Sequence, residues 1–188
     1  LPRSAGTLSP WLSTMPLSAC PPMDGGLLPD APALKHLLLA RRSIRRYKKT
    51  PVSRKLLEEL VDVARYAPTG SNKQQVWWTV ISKPEEVRRM GAMVIDFIKI
   101  MLPLTPDEAQ VRRFQRIVLA WENGRDRIMR GAPHLMVAHS PAEVAFPAAD
   151  CAIALTYLEL YAFARGLGTC WAGYLTGAAN VHEPLVRA

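Results

Sequence analysis

A short basic segment, Arg41-Arg42-Ser43-Ile44-Arg45, concentrates side chains that can bind an anion. It carries three guanidinium groups and one hydroxyl, and the apolar pattern before it predicts that it follows the end of a helix. A guanidinium fork can donate two hydrogen bonds at once to a phosphate or another planar anion. The segment therefore predicts an anion-binding site, and a solvated basic stretch without a ligand stays the alternative.

A polar loop, Ala67-Pro68-Thr69-Gly70-Ser71-Asn72-Lys73-Gln74, lies between a predicted helix and a predicted strand. A small, glycine-containing loop of this kind can bring its backbone close to a flat ligand. Asn72 and Gln74 offer both donors and acceptors, which suit the edge of a ring with alternating carbonyl and N–H groups. The alternative is a turn that needs these residues only for its own geometry.

A third segment, Gly166-Leu167-Gly168-Thr169-Cys170-Trp171-Ala172-Gly173, consists largely of small residues. Small side chains at the end of a predicted strand leave backbone N–H groups accessible. Gly173 lets a ligand approach the backbone closely. Packing of a strand after a helix stop explains the same residues without a ligand.

The side chains that usually carry acid–base or metal chemistry are scattered. The histidines are His36, His134, His139 and His182, and the cysteines are Cys20, Cys151 and Cys170. We interpret each histidine as a packing or surface residue, and the last two cysteines as core residues. No spacing is typical of zinc or iron–sulfur ligation, so we predict no metal site and no catalytic triad. The cysteine pattern favours a reducing compartment, which we take as the cytoplasm.

Composition places the chain among soluble globular proteins. Its 188 residues suit a single domain, and 49% hydrophobic with 21% charged residues is an ordinary balance. The net charge of +8 favours anionic partners such as nucleic acid, a membrane surface or a phosphorylated small molecule. Because the sequence has no run of eighteen apolar residues, we predict no membrane span.

The predicted helices and strands give the positions of these segments in the fold. Residues 1–32 are rich in Pro, Ser and Gly and predict a mobile N-terminal arm, which leaves 33–188 as the folded domain. Helical periodicity and capping residues predict helices over residues 34–40, 53–66, 84–98, 107–130 and 148–165. Strands are predicted over residues 77–81, 134–138 and 169–174. The sum is an α+β fold in which helices dominate.

Taken in order, these segments resemble the nitroreductase family of flavoproteins. The resemblance rests on ARRSIRRYKKTPV, ARYAPTGSNKQQVWW, GAPHLMVAHSP and DCAIALTYLELYAFARGLGTCWAGYL, and it covers residues 34–180. It implies a nitroreductase-like fold with a central, mostly antiparallel sheet flanked by helices. Family members continue beyond a point like Ala188 with another strand and basic residues, so the last strand is expected to be missing.

The resemblance also implies which residues bind FMN. The matched positions are Arg41, Arg42, Ser43, Arg45, Asn72, Gln74, Ala172 and Gly173. The first four match a motif that holds the FMN phosphate and ribityl chain and reaches N1 and O2 of the flavin. The next two match a loop at the pyrimidine edge of the ring, and the last two match backbone positions near N5 and O4. A cation near N1 and O2 stabilises the anionic reduced flavin.

The activity implied is hydride transfer through a flavin. NADH or NADPH gives a hydride to flavin N5, leaves, and is replaced by a small-molecule acceptor such as a nitroaromatic or a quinone. The flavin carries the chemistry, so no side-chain nucleophile is required. The family forms homodimers with FMN at the interface, and a ferredoxin-like donor is an alternative to the nicotinamide.

Two departures from the family pattern bear on this interpretation. Gln75 stands where the family usually has proline, and the missing end predicts weaker FMN binding. One alternative is therefore an inactive fragment or pseudoenzyme of the same fold that has lost FMN. A basic nucleic-acid-binding protein is the other, but the sequence lacks interleaved aromatic and basic residues, a zinc signature and a recognisable reading helix.

Overall fold

The computed structural model describes residue 22 and residues 24–186, and this part of the chain contains seven helices and two strands. The helices are α1 (Ala31–Ala40), α2 (Arg54–Ala64), α3 (Pro84–Met101), α4 (Glu108–Glu122), α5 (Pro147–Ala164), α6 (Gly173–Ala179) and α7 (Glu183–Val186). The strands are β1 (Trp77–Ile81) and β2 (Leu135–His139). The predicted arm over 1–32 falls mostly outside the described residues.

A capping side chain or a first-turn proline sets the start of each helix from α1 to α5, which is why the sequence located these starts well. The Ser53 hydroxyl accepts a hydrogen bond from the Leu56 N–H at 3.3 Å, and the Asp30 carboxylate accepts one from the Ala33 N–H at 2.7 Å. Proline occupies the first turn of both α3 and α5, where its missing N–H costs nothing. The predictions of α1, α2, α3 and α5 are confirmed within a few residues.

The predicted helix from Asp107 to Arg130 is wrong at its carboxyl end. α4 stops at Glu122, and Gly124 adopts a positive φ of 74°. The Gly124 N–H donates to the Trp121 carbonyl at 2.9 Å and the Arg125 N–H to the Ala120 carbonyl at 2.8 Å. This pair of bonds is a Schellman motif, which ends a helix at a left-handed glycine. The residues after it form an irregular loop up to β2.

The predicted strand over 169–174 is also wrong. Residues 169–172 form no regular element, and α6 begins at Gly173. Leu175 and Ala178, three residues apart, are both buried in the core, so the buried residues of this segment recur at the spacing of a helix. Within the described residues, the sheet therefore consists of β1 and β2. Trp77 of β1 contacts His139 at the end of β2, as expected for the antiparallel pair.

The chain divides into two compact units. The first contains residues up to 42, Ser53–Thr79 and Val137–Gly168. The second contains Ser43–Val52, Val80–Met136 and the residues from 169 onward. Each unit has its own buried apolar side chains.

In the first unit, α2 packs against α5. Leu57, Leu60 and Ala64 lie on the buried side of α2, at the spacing of one helical face. α5 contributes Ala154, Leu158 and Ala162, which are all buried.

The second unit is built around α3, which is buried along one side by α4, α6 and α7. Its core side chains are Val87, Met90, Val94, Ile95, Ile98, Ile117, Val118, Ile128, Met129, Leu175, Ala178 and Leu185. Burying one such Val, Ile or Leu stabilises a fold by about 1.5–3 kcal/mol, which makes this cluster the main source of cohesion in the unit.

The sequence of α5 is apolar nearly all round, which suits either a core helix or an interface helix. One side is buried in the first unit, whereas Ile153 and Tyr157 are 37% and 40% exposed. In the single chain α5 is therefore buried on one side only. No helix among the described residues is both long and apolar enough to cross a membrane.

Gly166 ends α5 in the same way that Gly124 ends α4. Its φ is 74°, and the Leu167 N–H donates to the Ala162 carbonyl at 2.8 Å. We expect Gly166→Ala to lower the free energy of unfolding by about 1 kcal/mol, because a Cβ is strained at this φ. Urea unfolding of the chain measures this.

Gly177, inside α6, is the matched control for that substitution. A Cβ at Gly177 meets no atom within 4 Å. Gly177→Ala is expected to raise the free energy of unfolding by about 0.5–1 kcal/mol, because alanine favours helix. Equal shifts of the same sign in the two variants would contradict the assigned roles.

Candidate functional site

Arg41 and Arg42, predicted to bind an anion, lie at the carboxyl end of α1 and both have partners within the first unit. One Arg41 guanidinium nitrogen forms a 3.2 Å ion pair with Glu159 of α5, whose side chain is 11% exposed. Arg42 donates to the carbonyls of Leu39 at 2.5 Å and Arg41 at 2.8 Å. These contacts give both side chains a structural role, and their part in phosphate binding stays a prediction.

The loop that carries Asn72 and Gln74 has an unusual backbone. Ser71, Asn72 and Gln74 have positive φ angles of 49°, 55° and 54°. This conformation is uncommon for residues with a side chain, and asparagine tolerates it best. Strained backbone of this kind persists only where neighbouring groups hold it, and it is frequent at ligand sites.

Two side chains hold this loop in the first unit. The Asp150 carboxylate of α5, which is 4% exposed, accepts a hydrogen bond from the Gly70 N–H at 2.9 Å. The Thr69 hydroxyl accepts one from the Gln74 N–H at 2.9 Å. The Gln74 amide also donates to the Asn72 side-chain oxygen at 3.3 Å. Asn72 and Gln74 are thus pre-positioned next to each other, on a loop fixed to α5.

In the second unit, the segment with Ser43 and Arg45 is attached to the segment that leads to Gly173. The Ile44 N–H donates to the Thr169 carbonyl at 2.8 Å. Ser43 is half-buried and Arg45 is exposed. The structure therefore brings together two of the three segments that the sequence singled out.

Four exposed cations follow Ser43 along this segment: Arg45, Arg46, Lys48 and Lys49. None of them forms an ion pair with a carboxylate in the described part of the chain. Clustered cations without acidic partners repel one another and attract anions. The segment can therefore bind an anionic group without first breaking an internal ion pair.

Tyr47 lies among these cations and was missed by the sequence analysis. Burial, and next the proximity of Cys170, raise the pKa of Tyr47 to about 12, although Arg130 and Arg45 act in the opposite direction. The phenol is therefore protonated throughout the physiological range and can serve as a neutral donor.

Ala172 and Gly173 mark the start of α6. Ala172 is half-buried and packs against the core of the second unit, whereas Gly173 is exposed. A Cβ at Gly173 would meet no atom within 4 Å. Space therefore lies next to this backbone, as close approach by a ligand requires.

The histidines have the packing and surface positions that the sequence predicts. The His134 Nε2 accepts a hydrogen bond from the Val52 N–H at 2.7 Å. The His139 ring contacts the Trp77 ring edge-on, and the His182 ring contacts Phe97. His36 lies exposed on α1. Among the described residues, no three His, Cys, Asp or Glu side chains form a group that could hold a metal ion.

His134 gives a pH-dependent prediction. Burial lowers the pKa of His134 below its ordinary value of 6.5, so the unfolded chain takes up a proton at a pH where the folded chain does not. Stability is then fully present above the unfolded pKa and is lost as pH falls through it. We expect the melting temperature of the chain to fall more steeply between about pH 7 and 5 than that of His134→Gln.

The control for this measurement is His36→Gln. His36 is exposed, so its replacement is expected to leave the pH dependence of the melting temperature unchanged. Identical pH profiles for the natural chain and His134→Gln would show that His134 does not couple folding to protonation.

The family assignment follows from comparison with known proteins. The model of the nitroreductase family matches residues 38–185, which is most of the chain. The chain therefore belongs to the nitroreductase family, and the resemblance seen in its motifs is confirmed.

Individual relatives agree with this assignment. A 4-nitrobenzoate reductase from Pseudomonas putida is 43% identical over 44 residues, which are 23% of this chain. The match spans only 18% of that curated relative. A nitroreductase with bound FMN from Desulfitobacterium hafniense is 26% identical with a TM-score of 0.63, over 82% of this chain and 78% of that one.

A second solved structure shows the same fold. The FMN-dependent nitroreductase from Mycobacterium smegmatis in complex with NADPH has a TM-score of 0.60 and 22% identity. The alignment covers 84% of this chain and 82% of that one. The predicted α+β, nitroreductase-like fold is therefore confirmed.

Proposed function

We propose that this protein is an FMN-dependent oxidoreductase that passes a hydride from a reduced nicotinamide to a nitroaromatic, quinone or similar acceptor. The observation that carries the proposal is the arrangement in the second unit. There the exposed cations from Arg45 to Lys49 are tied to the segment before Gly173 by the Ile44–Thr169 hydrogen bond. Family membership and the FMN-binding relatives support this choice of cofactor.

The residues present fit FMN in charge and in hydrogen-bonding chemistry. The phosphate of FMN is anionic, and the basic segment offers guanidinium and ammonium groups that no described carboxylate occupies. The backbone at Gly173 has open space beside it. In the first unit, Asn72 and Gln74 present amide donors and acceptors from a fixed loop, as recognition of a pyrimidine edge requires.

When bound, FMN supplies reversible hydride transfer at N5, and the chain's own residues supply binding and electrostatics. In this proposal Arg45 provides a positive charge that stabilises the anionic reduced form. Ser43 and the neighbouring cations bind the phosphate and ribityl chain. No described side chain is required as a nucleophile or general base.

Two relatives support the choice of electron donor and acceptor. The Mycobacterium smegmatis structure contains NADPH, and the Pseudomonas putida relative is a reductase of 4-nitrobenzoate. We therefore propose a nicotinamide donor and a nitroaromatic among the acceptors. Neither relative points to a ferredoxin-like donor.

We also propose that the protein is a homodimer. In the first unit, α1, α5 and the residue before α5 leave apolar side chains exposed: Leu34, Leu38, Leu39, Phe146, Ile153 and Tyr157. Exposed apolar side chains that form a patch are typical of a protein–protein interface. Light scattering during gel filtration is expected to give twice the mass of one chain, and a monomer at every concentration would contradict the proposal.

The two described cysteines support a reducing compartment. Cys151 and Cys170 are free thiols, and burial, followed by the charge of Asp150, raises the pKa of Cys151. Because disulfides are rare in the cytosol, free half-buried thiols favour the cytoplasmic location that we propose.

Anaerobic rapid-mixing spectroscopy tests the reaction itself. We expect the flavin-loaded protein to be bleached by NADH or NADPH and to regain its colour on addition of 4-nitrobenzoate or a benzoquinone. A flavin that a chemical reductant bleaches but neither nicotinamide reduces would exclude the proposed donor. A reduced flavin that reoxidises no faster with these acceptors than in buffer would exclude the acceptors.

A further inference from the structure

A second concentration of positive charge lies in the second unit, on arginines outside the motifs that resemble the family. An open cleft of about 300 Å³ is lined by Arg113, Arg116, Ile117, Arg127, Arg130 and Tyr174. Four of its six lining side chains are arginines, and none is acidic. Its volume is at the lower end of the roughly 300–1,000 Å³ that small-molecule sites occupy.

The cleft is assembled from three separate stretches of chain. Arg113 and Arg116 lie on α4, and Ile117 beside them is buried in the core. Arg127 and Arg130 come from the loop after α4, and Tyr174 comes from the first turn of α6. The convergence of arginines from different elements argues against an incidental run of basic residues.

The loop that presents Arg127 and Arg130 is held firmly. The Asp126 carboxylate accepts hydrogen bonds from the N–H groups of Ile128 and Met129, both at 2.9 Å, and of Gly131 at 3.1 Å. The side chains of Ile128 and Met129 are only 6% and 5% exposed. Arg130 itself adopts a positive φ of 60°, a conformation that such a network can maintain.

The arginines of the cleft have no acidic partner among the residues that the structure describes, since none of the four forms an ion pair with a described carboxylate. Arg116 donates a hydrogen bond to the backbone carbonyl of Arg112 at 3.2 Å. Guanidinium groups this close repel one another, and an anion that bridges them relieves the repulsion. A phosphate monoester, with about two negative charges and three acceptor oxygens, suits such a cluster best.

We propose that this cleft binds the phosphate monoester of a nucleotide, and that in the proposed reaction this is the phosphate that distinguishes NADPH from NADH. The identity of the donor rests on the proposed function, whereas the phosphate chemistry rests on the cleft alone. Tyr174, which lines the cleft, directly follows Gly173, so the cleft borders the segment proposed for the flavin. A depression lined by Arg112, Gln115, Arg116 and Leu119 shares Arg116 and gives room for the rest of the nucleotide.

Calorimetric titration of the full chain with NADP⁺ and with NAD⁺ tests the proposal, since only NADP⁺ carries a phosphate monoester. We expect NADP⁺ to bind at least about tenfold more tightly, because its extra phosphate gains charge-assisted hydrogen bonds. Arg116→Gln and Arg127→Gln are expected to bring NADP⁺ to the affinity of NAD⁺. Inorganic phosphate is expected to compete with NADP⁺.

Arg54→Gln is the matched control. It removes the same charge from an exposed arginine of the first unit that pairs with Glu58, and it is expected to leave both affinities unchanged. An equal loss in this variant would mean that only overall charge matters, which overturns the proposal. Equal affinity of the natural chain for NADP⁺ and NAD⁺ also overturns it.

Measuring FMN binding shows whether the cleft holds the phosphate of NADPH or that of FMN. Arg116→Gln and Arg127→Gln are expected to keep FMN as well as the natural chain does. If they lose FMN and keep NADP⁺, the cleft holds the flavin phosphate and the proposal is wrong. Because the titration needs neither flavin nor turnover, its failure leaves the proposed oxidoreductase function standing.

Discussion

Replacing Arg45 with glutamine is expected to weaken FMN binding by roughly 10- to 100-fold, because a hydrogen bond to a charged group contributes about 1.5–3 kcal/mol. Arg45 is exposed and forms no ion pair with a described carboxylate, so the substitution removes little from the fold. The unfolding midpoint is therefore expected to stay unchanged. Quenching of FMN fluorescence on titration with the chain measures the affinity.

The control is again Arg54→Gln, which removes one positive charge from an exposed helix position. Its FMN affinity is expected to equal that of the natural chain. If Arg45→Gln bound FMN with unchanged affinity, the basic segment would not hold the cofactor. If both variants weakened binding equally, the effect would come from net charge, and a rise in salt concentration would abolish it.

Replacing Asp126 with alanine is expected to lower the free energy of unfolding by about 2–4 kcal/mol, because several backbone N–H groups lose a charged acceptor together. Asp126 accepts from Ile128, Met129 and Gly131. Without it, the loop loses the contacts that keep Ile128 and Met129 in the core. Urea denaturation measures the change.

Two further variants test whether the loss of stability comes from these hydrogen bonds. Asp126→Asn keeps one acceptor oxygen for Ile128 and Met129, and we expect a loss intermediate between that of alanine and none. Asp62→Ala removes an exposed carboxylate whose partner is Arg65, three residues away, and is expected to cost less than about 0.5 kcal/mol. Equal losses for Asp126→Ala and Asp62→Ala would contradict the role assigned to Asp126.

The sequence predicted those features of the fold that depend on neighbouring residues. α2 was located because Ser53 caps it and its leucines recur at helical spacing, and α3 and α5 because proline begins each of them. The end of α4 was missed although Gly124 carries the signal, since a polar helix surface and a polar loop have similar composition. The strand over 169–174 was wrong because a strand depends on a partner that a local pattern does not reveal.

The candidate site was likewise predicted where it depends on local sequence and missed where it depends on distant residues. The basic segment and the polar loop were found from residue type, but their partners are distant in sequence. Glu159 pairs with Arg41 from 118 positions away, and Asp150 holds Gly70 from 80 positions away. Tyr47 was missed because its raised pKa depends on burial and on Cys170, which is distant in the sequence. The cleft was not foreseen, since the end of α4 was placed too late and the loop that carries Arg127 and Arg130 was predicted as helix.

The central claim is that this chain holds FMN, and a visible absorption spectrum after addition of FMN and desalting tests it most directly. The proposed site predicts that the purified chain retains the flavin bands, and that Arg45→Gln retains them less. A chain that is folded by circular dichroism and unfolds cooperatively, yet emerges colourless, would contradict the claim.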